Sequence, residues 1–105
     1  MQVLFDQGTP VPLRRYLALH AVVNVFEKGW STLQNGELLS TAEREGFEVL
    51  VTTDQNLKYQ QNLTERQLAI VVLMTTSWPR IERKVNHVVA VINSVKPGDY
   101  IEVKF

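Results

Sequence analysis

Two β-rich runs end in an aspartate. Val3-Leu4-Phe5 is followed at once by Asp6, and the run from Phe47 to Thr52 leads into Asp54. After each aspartate the chain turns towards a helix. If both runs are parallel strands, their ends lie on one side of one sheet, and Asp6 and Asp54 become neighbours despite their separation in sequence. Two carboxylates held that close repel each other. A hard divalent cation such as Mg2+ or Mn2+ relieves the repulsion, because it prefers oxygen ligands and keeps several waters. The competing reading is that both aspartates cap helices.

Other polar residues carry weaker signals. Glu37 falls in the first turn of a predicted helix, where an acidic side chain complements the helix dipole. Thr75, Thr76 and Ser77 close an apolar run ahead of another helix. Ser77 suits an N-cap there, and hydroxyls beside free N–H groups also suit a phosphate. Thr52 and Thr53 read most simply as strand residues beside Asp54. Arg80, Arg83 and Lys84 lie off the apolar stripe of the last helix and suit either a solvated face or contacts to a phosphate backbone. Arg14 and Arg15 invite the same two readings. Trp30 and Trp78 fit core packing, with a stacking role as the alternative for Trp78. His20 and His87 lack a second His or Cys at ligand spacing. No glycine-rich phosphate loop accompanies Gly8, and no Ser–His–acid order is present.

The bulk composition narrows the field. Eleven acidic residues balance eleven basic ones, so no overall basic field draws nucleic acid, and any such binding needs a local patch. The chain has no cysteine, which removes disulfides, zinc–thiolate sites and thiol catalysis, and fits a reducing, cytoplasmic setting. The longest unbroken apolar run, Leu68 to Met74, is too short to span a bilayer. Asp6 interrupts the first apolar stretch, so no signal peptide is expected. At 105 residues and 45% hydrophobic content, one domain over 1–105 with a real core is expected.

The elements that must position these residues follow from pattern. Val3 to Phe5 reads as a buried strand. Thr9 is a plausible N-cap for a short helix with Pro10 at its first position and Leu13 and Leu17 on one face. Val22, Val23 and Val25 suggest a second strand, ended by Lys28-Gly29. Asn35 suits the N-cap of the next helix, with Leu38, Leu39 and Ala42 inward and Gly46 as its stop. Leu57 to Leu63 reads as one or two helical turns. Ala69 to Leu73 is the most apolar strand and is expected at the sheet centre. Ile81, Val85, Val88, Ile92 and Val95 form one continuous helical stripe, bracketed by Pro79 and Pro97-Gly98. The alternation from Tyr100 to Phe105 marks a half-buried edge strand. Strands alternating with helices predict α/β architecture with a mainly parallel sheet, in which ligands gather at the carboxyl ends of the strands.

Taken in order, Val3-Leu4-Phe5-Asp6 with Pro10, Asn35-Gly36-Glu37-Leu38-Leu39 with Ala42 and Gly46, and Val49-Leu50-Val51-Thr52-Thr53-Asp54-Gln55-Asn56-Leu57 resemble the small PIN-like domain family. The resemblance covers most of the chain. It implies a three-layer α/β/α PIN-like fold and a Mg2+- or Mn2+-dependent ribonuclease. It also implies the toxin of a toxin–antitoxin pair, with RNA as substrate and an antitoxin-like protein as partner; a homodimer is a further expected partner. Metal ligands are implied at Asp6 and Asp54, with Glu37 supporting through the metal or its waters. Gln7, Asn35 and Asn56 stand where relatives often carry acids, and the hydroxyl residues after Met74 stand where many carry a fourth. Amides still coordinate through the carbonyl oxygen but add no charge. The alternative expectation is therefore a catalytically weak or inactive PIN-like interaction module.

Overall fold

The five strands of the chain form one sheet in which every neighbouring pair runs parallel. A computed structural model describes residues 1–105. The strands are β1 (Gln2–Phe5), β2 (Ala21–Asn24), β3 (Val49–Thr52), β4 (Ala69–Leu73) and β5 (Tyr100–Val103). Their spatial order is β2-β1-β3-β4-β5. The sheet is thus wholly, rather than mainly, parallel. β3 holds the middle, and β4, expected there, lies one place outward. β5 is an edge strand, as its alternation indicates.

Parallel strands need crossovers, and these cover both faces of the sheet in an α/β/α arrangement. Helices α1 (Asn35–Arg44) and α2 (Leu57–Gln60) carry Leu38, Leu39, Ala42 and Leu57 against Leu4, Leu50, Ile70 and Val72. On the other face, a 3-10 helix (Val11–Tyr16) and helices α3 (Trp78–Arg83) and α4 (Val85–Ser94) cover Val3, Phe5, Val51 and Val71. Successive strand residues point to opposite faces. That explains why β1, β3 and β4 are almost continuously apolar: both of their faces are buried. No helix is long and apolar enough to cross a membrane.

Several local expectations change. The helix after Pro10 is 3-10, and Pro10, not Thr9, precedes it as N-cap. Thr9 is buried and donates its hydroxyl to the Val51 carbonyl at 2.7 Å, tying the exit of β1 onto β3. Gln34, not Asn35, occupies the N-cap position of α1, without a side-chain cap bond, and Asn35 lies inside the first turn. β2 ends at Asn24, ahead of Lys28-Gly29. The apolar stripe from Ile81 runs over two helices rather than one. At Lys84, with φ −119° and ψ 24°, the chain bends, and Ile81, Val88 and Ile92 all remain fully buried. Gly46 does stop α1, in a left-handed conformation (φ 87°) that a Cβ would strain.

Candidate functional site

The strand order places a switch point between β1 and β3. The chain moves outward from β1 to β2 on one side, then returns to add β3, β4 and β5 on the other. The two exits therefore diverge and leave a crevice, the position at which doubly wound sheets hold ligands. Here a cleft of about 270 Å³ opens. The β1 exit contributes Asp6, Gln7 and Gly8, and the β3 exit contributes Thr52, Thr53 and Asp54. The connection from β2 to α1 adds Trp30 and Ser31, and the first turns of α1 add Asn35 and Leu38.

The backbone fixes each aspartate. The Asp6 N–H donates to the Val51 carbonyl at 2.9 Å, so the β1–β3 ladder extends one residue beyond the strand. The Asp6 carboxylate accepts the Gln7 N–H on Oδ1 (2.8 Å) and the Thr52 hydroxyl on Oδ2 (2.9 Å). Thr52 is buried, and its Oγ1 also accepts the Asp54 N–H at 3.1 Å. An N–H can only donate, so the hydroxyl proton is directed at Asp6. One side chain thereby couples the two strand ends. The Asp54 carboxylate accepts the Asn56 N–H on Oδ1 (3.0 Å) and the Asn35 Nδ2 on Oδ2 (3.3 Å). The Gln7 side chain donates to the Ser31 carbonyl at 3.0 Å and ties the β1 exit to the β2–α1 connection.

The charge distribution is one-sided. No Lys, Arg or His lines the cleft. The four ion pairs of the chain, Arg14–Glu27, Lys28–Glu45, Lys58–Glu102 and Arg66–Glu43, leave out both cleft aspartates. Asp6 and Asp54 are thus two carboxylates with dipolar partners only. Every polar donor that faces the cleft is an oxygen or an amide; there is no thiolate and no imidazole. Such a set suits a small hard cation and does not suit zinc.

Of the residues singled out from the sequence, Asp6, Gln7, Asn35, Thr52 and Asp54 come together here. Glu37 does not. It is exposed on α1 and borders a separate shallow depression with Ser40, Thr41 and Arg44. A helix turns 100° per residue, so Glu37, two positions after Asn35, points well away from it. Asn56 reaches Asp54 through its backbone N–H, not its side chain. Ser77 lies beyond β4 at the head of α3, where its N–H donates to Thr75 Oγ1. It occupies the N-cap position without making a side-chain cap bond. Arg80 and Arg83 on α3 and Lys84 at the bend after it are exposed and make no ion pair. Trp78 packs on Tyr16 at a centroid distance of 6.0 Å, and Trp30 meets Phe47 edge-on, so both tryptophans are engaged in packing. No group of three acidic or histidine side chains gathers anywhere in the chain.

The sequence reading gave no site role to Ser31 or Gln60, and took Gly8 for a lone glycine and Thr53 for a strand residue. The reason for Gly8 appears only in the fold, where a Cβ would collide with Thr53 Oγ1. Gln60 on α2 accepts a hydrogen bond from Asn35 Nδ2 at 3.1 Å, a partnership that only the folded chain reveals. No protein-family model matches the chain, and neither characterised proteins nor solved structures give a match.

Proposed function

We propose that the cleft holds a single Mg2+ or Mn2+ ion and that the chain is a PIN-like, metal-dependent ribonuclease of modest activity. The observation that carries this reading is the pair of aspartates at the β1/β3 switch point, in one cleft with no cationic side chain. The donor set fits the ion: Asp6 and Asp54 offer charged oxygens and the amides of Gln7 and Asn35 each have an oxygen end to offer, while the Thr52 hydroxyl is engaged by Asp6 and the Asp54 N–H. Such an ion, when bound, polarises a phosphoryl oxygen and lowers the pKa of a bound water. The residues of the chain do the rest. Asp6 and Asp54 hold the site, Thr52 orients Asp6, and Leu38 and Trp30 wall the cleft on its apolar side. Exposed Arg80, Arg83 and Lys84 supply a local positive patch for a phosphate backbone, which a chain of zero net charge otherwise lacks. A reducing, cytoplasmic setting accords with the absence of cysteine.

One observation favours the weaker form of this reading, a catalytically slow or inactive module retained for partner binding, an antitoxin-like protein or a second copy of the chain. Only two carboxylates face the cleft, and Glu37 is turned away. Divalent-ion affinity in oxygen sites rises with carboxylate count. Thermal melts with and without millimolar Mn2+ test the site: the wild type should gain stability, and Asp54→Ala should lose that gain. Cleavage of single-stranded RNA, with Asp6→Ala as control, tests the activity. Binding without cleavage selects the module; no Mn2+ response in the wild type removes the metal reading altogether.

A further inference from the structure

We infer that Gln60 is a positioning residue for the cleft, acting through the Asn35 carboxamide in a two-amide relay set by whether a divalent cation occupies Asp6 and Asp54. The inference rests on the metal reading of the cleft. Its starting point is the direction of the Asn35 side chain. Asn35 Nδ2 donates to Asp54 Oδ2 at 3.3 Å and to Gln60 Oε1 at 3.1 Å. An amide nitrogen carries two protons, and both are engaged; Asn35 Oδ1 accepts no hydrogen bond from the chain. The carboxylate fixes this orientation, because only the nitrogen end can donate to it.

That orientation supports Asp54 but keeps Asn35 from ligating an ion itself, since only the oxygen end of the amide can do so. With only two carboxylates in the cleft, an ion that recruits Asn35 as a further ligand turns its side chain over to present Oδ1. Turned over, Oδ1 would face Gln60 Oε1, oxygen against oxygen. Gln60 resolves the conflict by turning as well, so that its Nε2–H donates to Asn35 Oδ1. A glutamine serves both states because its head group has an acceptor at one end and a donor at the other. The movement is confined to side chains. α2 is held by the buried Leu57 and by the Lys58–Glu102 ion pair at 2.9 Å, so the Gln60 backbone stays in place.

The relay predicts a signature that a merely structural contact would not give. In 15N-labelled protein titrated with Mg2+, the side-chain NH2 signals of Asn35 and Gln60 should move together. They should saturate at the same Mg2+ concentration as the backbone amides of residues 6 and 54. Gln60→Leu, at an exposed position, should fold; it removes a bond made with and without the ion, so it should leave Mg2+ affinity within about twofold while the Asn35 NH2 signals still move on titration. If residues 6 and 54 respond while both NH2 signals of the wild type stay still, the relay is overturned and the metal site stands. If nothing saturates anywhere, the metal reading and the relay fall together.

Discussion

Replacing Thr52 with valine isolates one hydroxyl group. Valine nearly matches threonine in shape, so packing at this buried position is retained. What is lost is the bond from Oγ1 to the Asp6 carboxylate at 2.9 Å and the acceptor for the Asp54 N–H at 3.1 Å. A hydrogen bond to a charged group contributes about 1.5–3 kcal/mol. Burying an extra methyl in place of the hydroxyl returns about 0.8 kcal/mol. The lost acceptor for the Asp54 N–H adds about 0.5–1.5 kcal/mol, so the expected loss is about 1–4 kcal/mol, which lowers Tm by at least about 4 °C in a domain of this size. Asp6 also loses the donor that orients it, so Mn2+ affinity should fall about tenfold. Thr52→Ser keeps the hydroxyl and should restore most of the Mn2+ response. Thermal melts and Mn2+ titrations of the three proteins decide the matter. A valine variant with wild-type Tm and wild-type Mn2+ response would refute the reasoning, since the hydroxyl would then hold nothing.

Asn35→Asp should tighten Mn2+ binding and lower stability without metal, because a third carboxylate joins the cleft and its hydrogen bond to Asp54 becomes a repulsion; Asn56→Asp, whose side chain does not line the cleft, should do neither in a parallel calorimetric titration. Glu43 accepts from the Arg66 guanidinium at 2.7 Å and from the N–H groups of Gln67 and Leu68. Burial pushes this carboxyl up, but Arg66 and the two N–H groups outweigh burial and hold it below the usual carboxylate range. A value depressed on folding contributes stability above the unfolded pKa, about 4.3, and loses it as pH falls through the folded value. Glu43→Gln should therefore cost about 1–3 kcal/mol at pH 7, and its denaturant midpoint should converge on the wild type as pH drops below about 4. Gly8→Ala should destabilise by about 1–3 kcal/mol in the same denaturant assay, because the new methyl forces Thr53 from its rotamer beside the cleft.

The layers of this fold were legible because hydrophobic burial writes itself locally. Strands buried on both faces read as apolar runs, and α1 announces itself by Leu38, Leu39 and Ala42 with Gly46 behind them. The strand-end aspartates were legible for the same reason: each is the first charged residue after a run. What was not legible depends on tertiary contact. Arg83-Lys84-Val85 contains neither glycine nor proline, so nothing local reports the bend between α3 and α4. The caps misled because Thr9 and Asn35 have the right type for capping but find better partners across the sheet, Val51 and Asp54. Glu37 was drawn towards the site only by the family resemblance, while helical phase turns it to solvent. Gln60 gave no sign, since its contact with Asn35 exists only once α2 lies beside α1.

The strand order also bears on how the chain is made. β1 is the earliest of the five strands in the chain, yet it ends inside the sheet, between β2 and β3. With only β2 beside it, one edge of Val3-Leu4-Phe5 stays open until Val49–Thr52 has been synthesised. The open interval is long: the Thr52–Asp6 hydrogen bond spans 46 positions. During translation a nascent chain of this kind carries a bare, apolar strand edge, the form of β-structure most prone to pairing with a neighbour. Arrival of β3 closes that edge and assembles the acidic cleft in the same event. A chain truncated before β3 should therefore have neither a closed sheet nor a site, and aggregation and loss of cation binding should appear together rather than in succession.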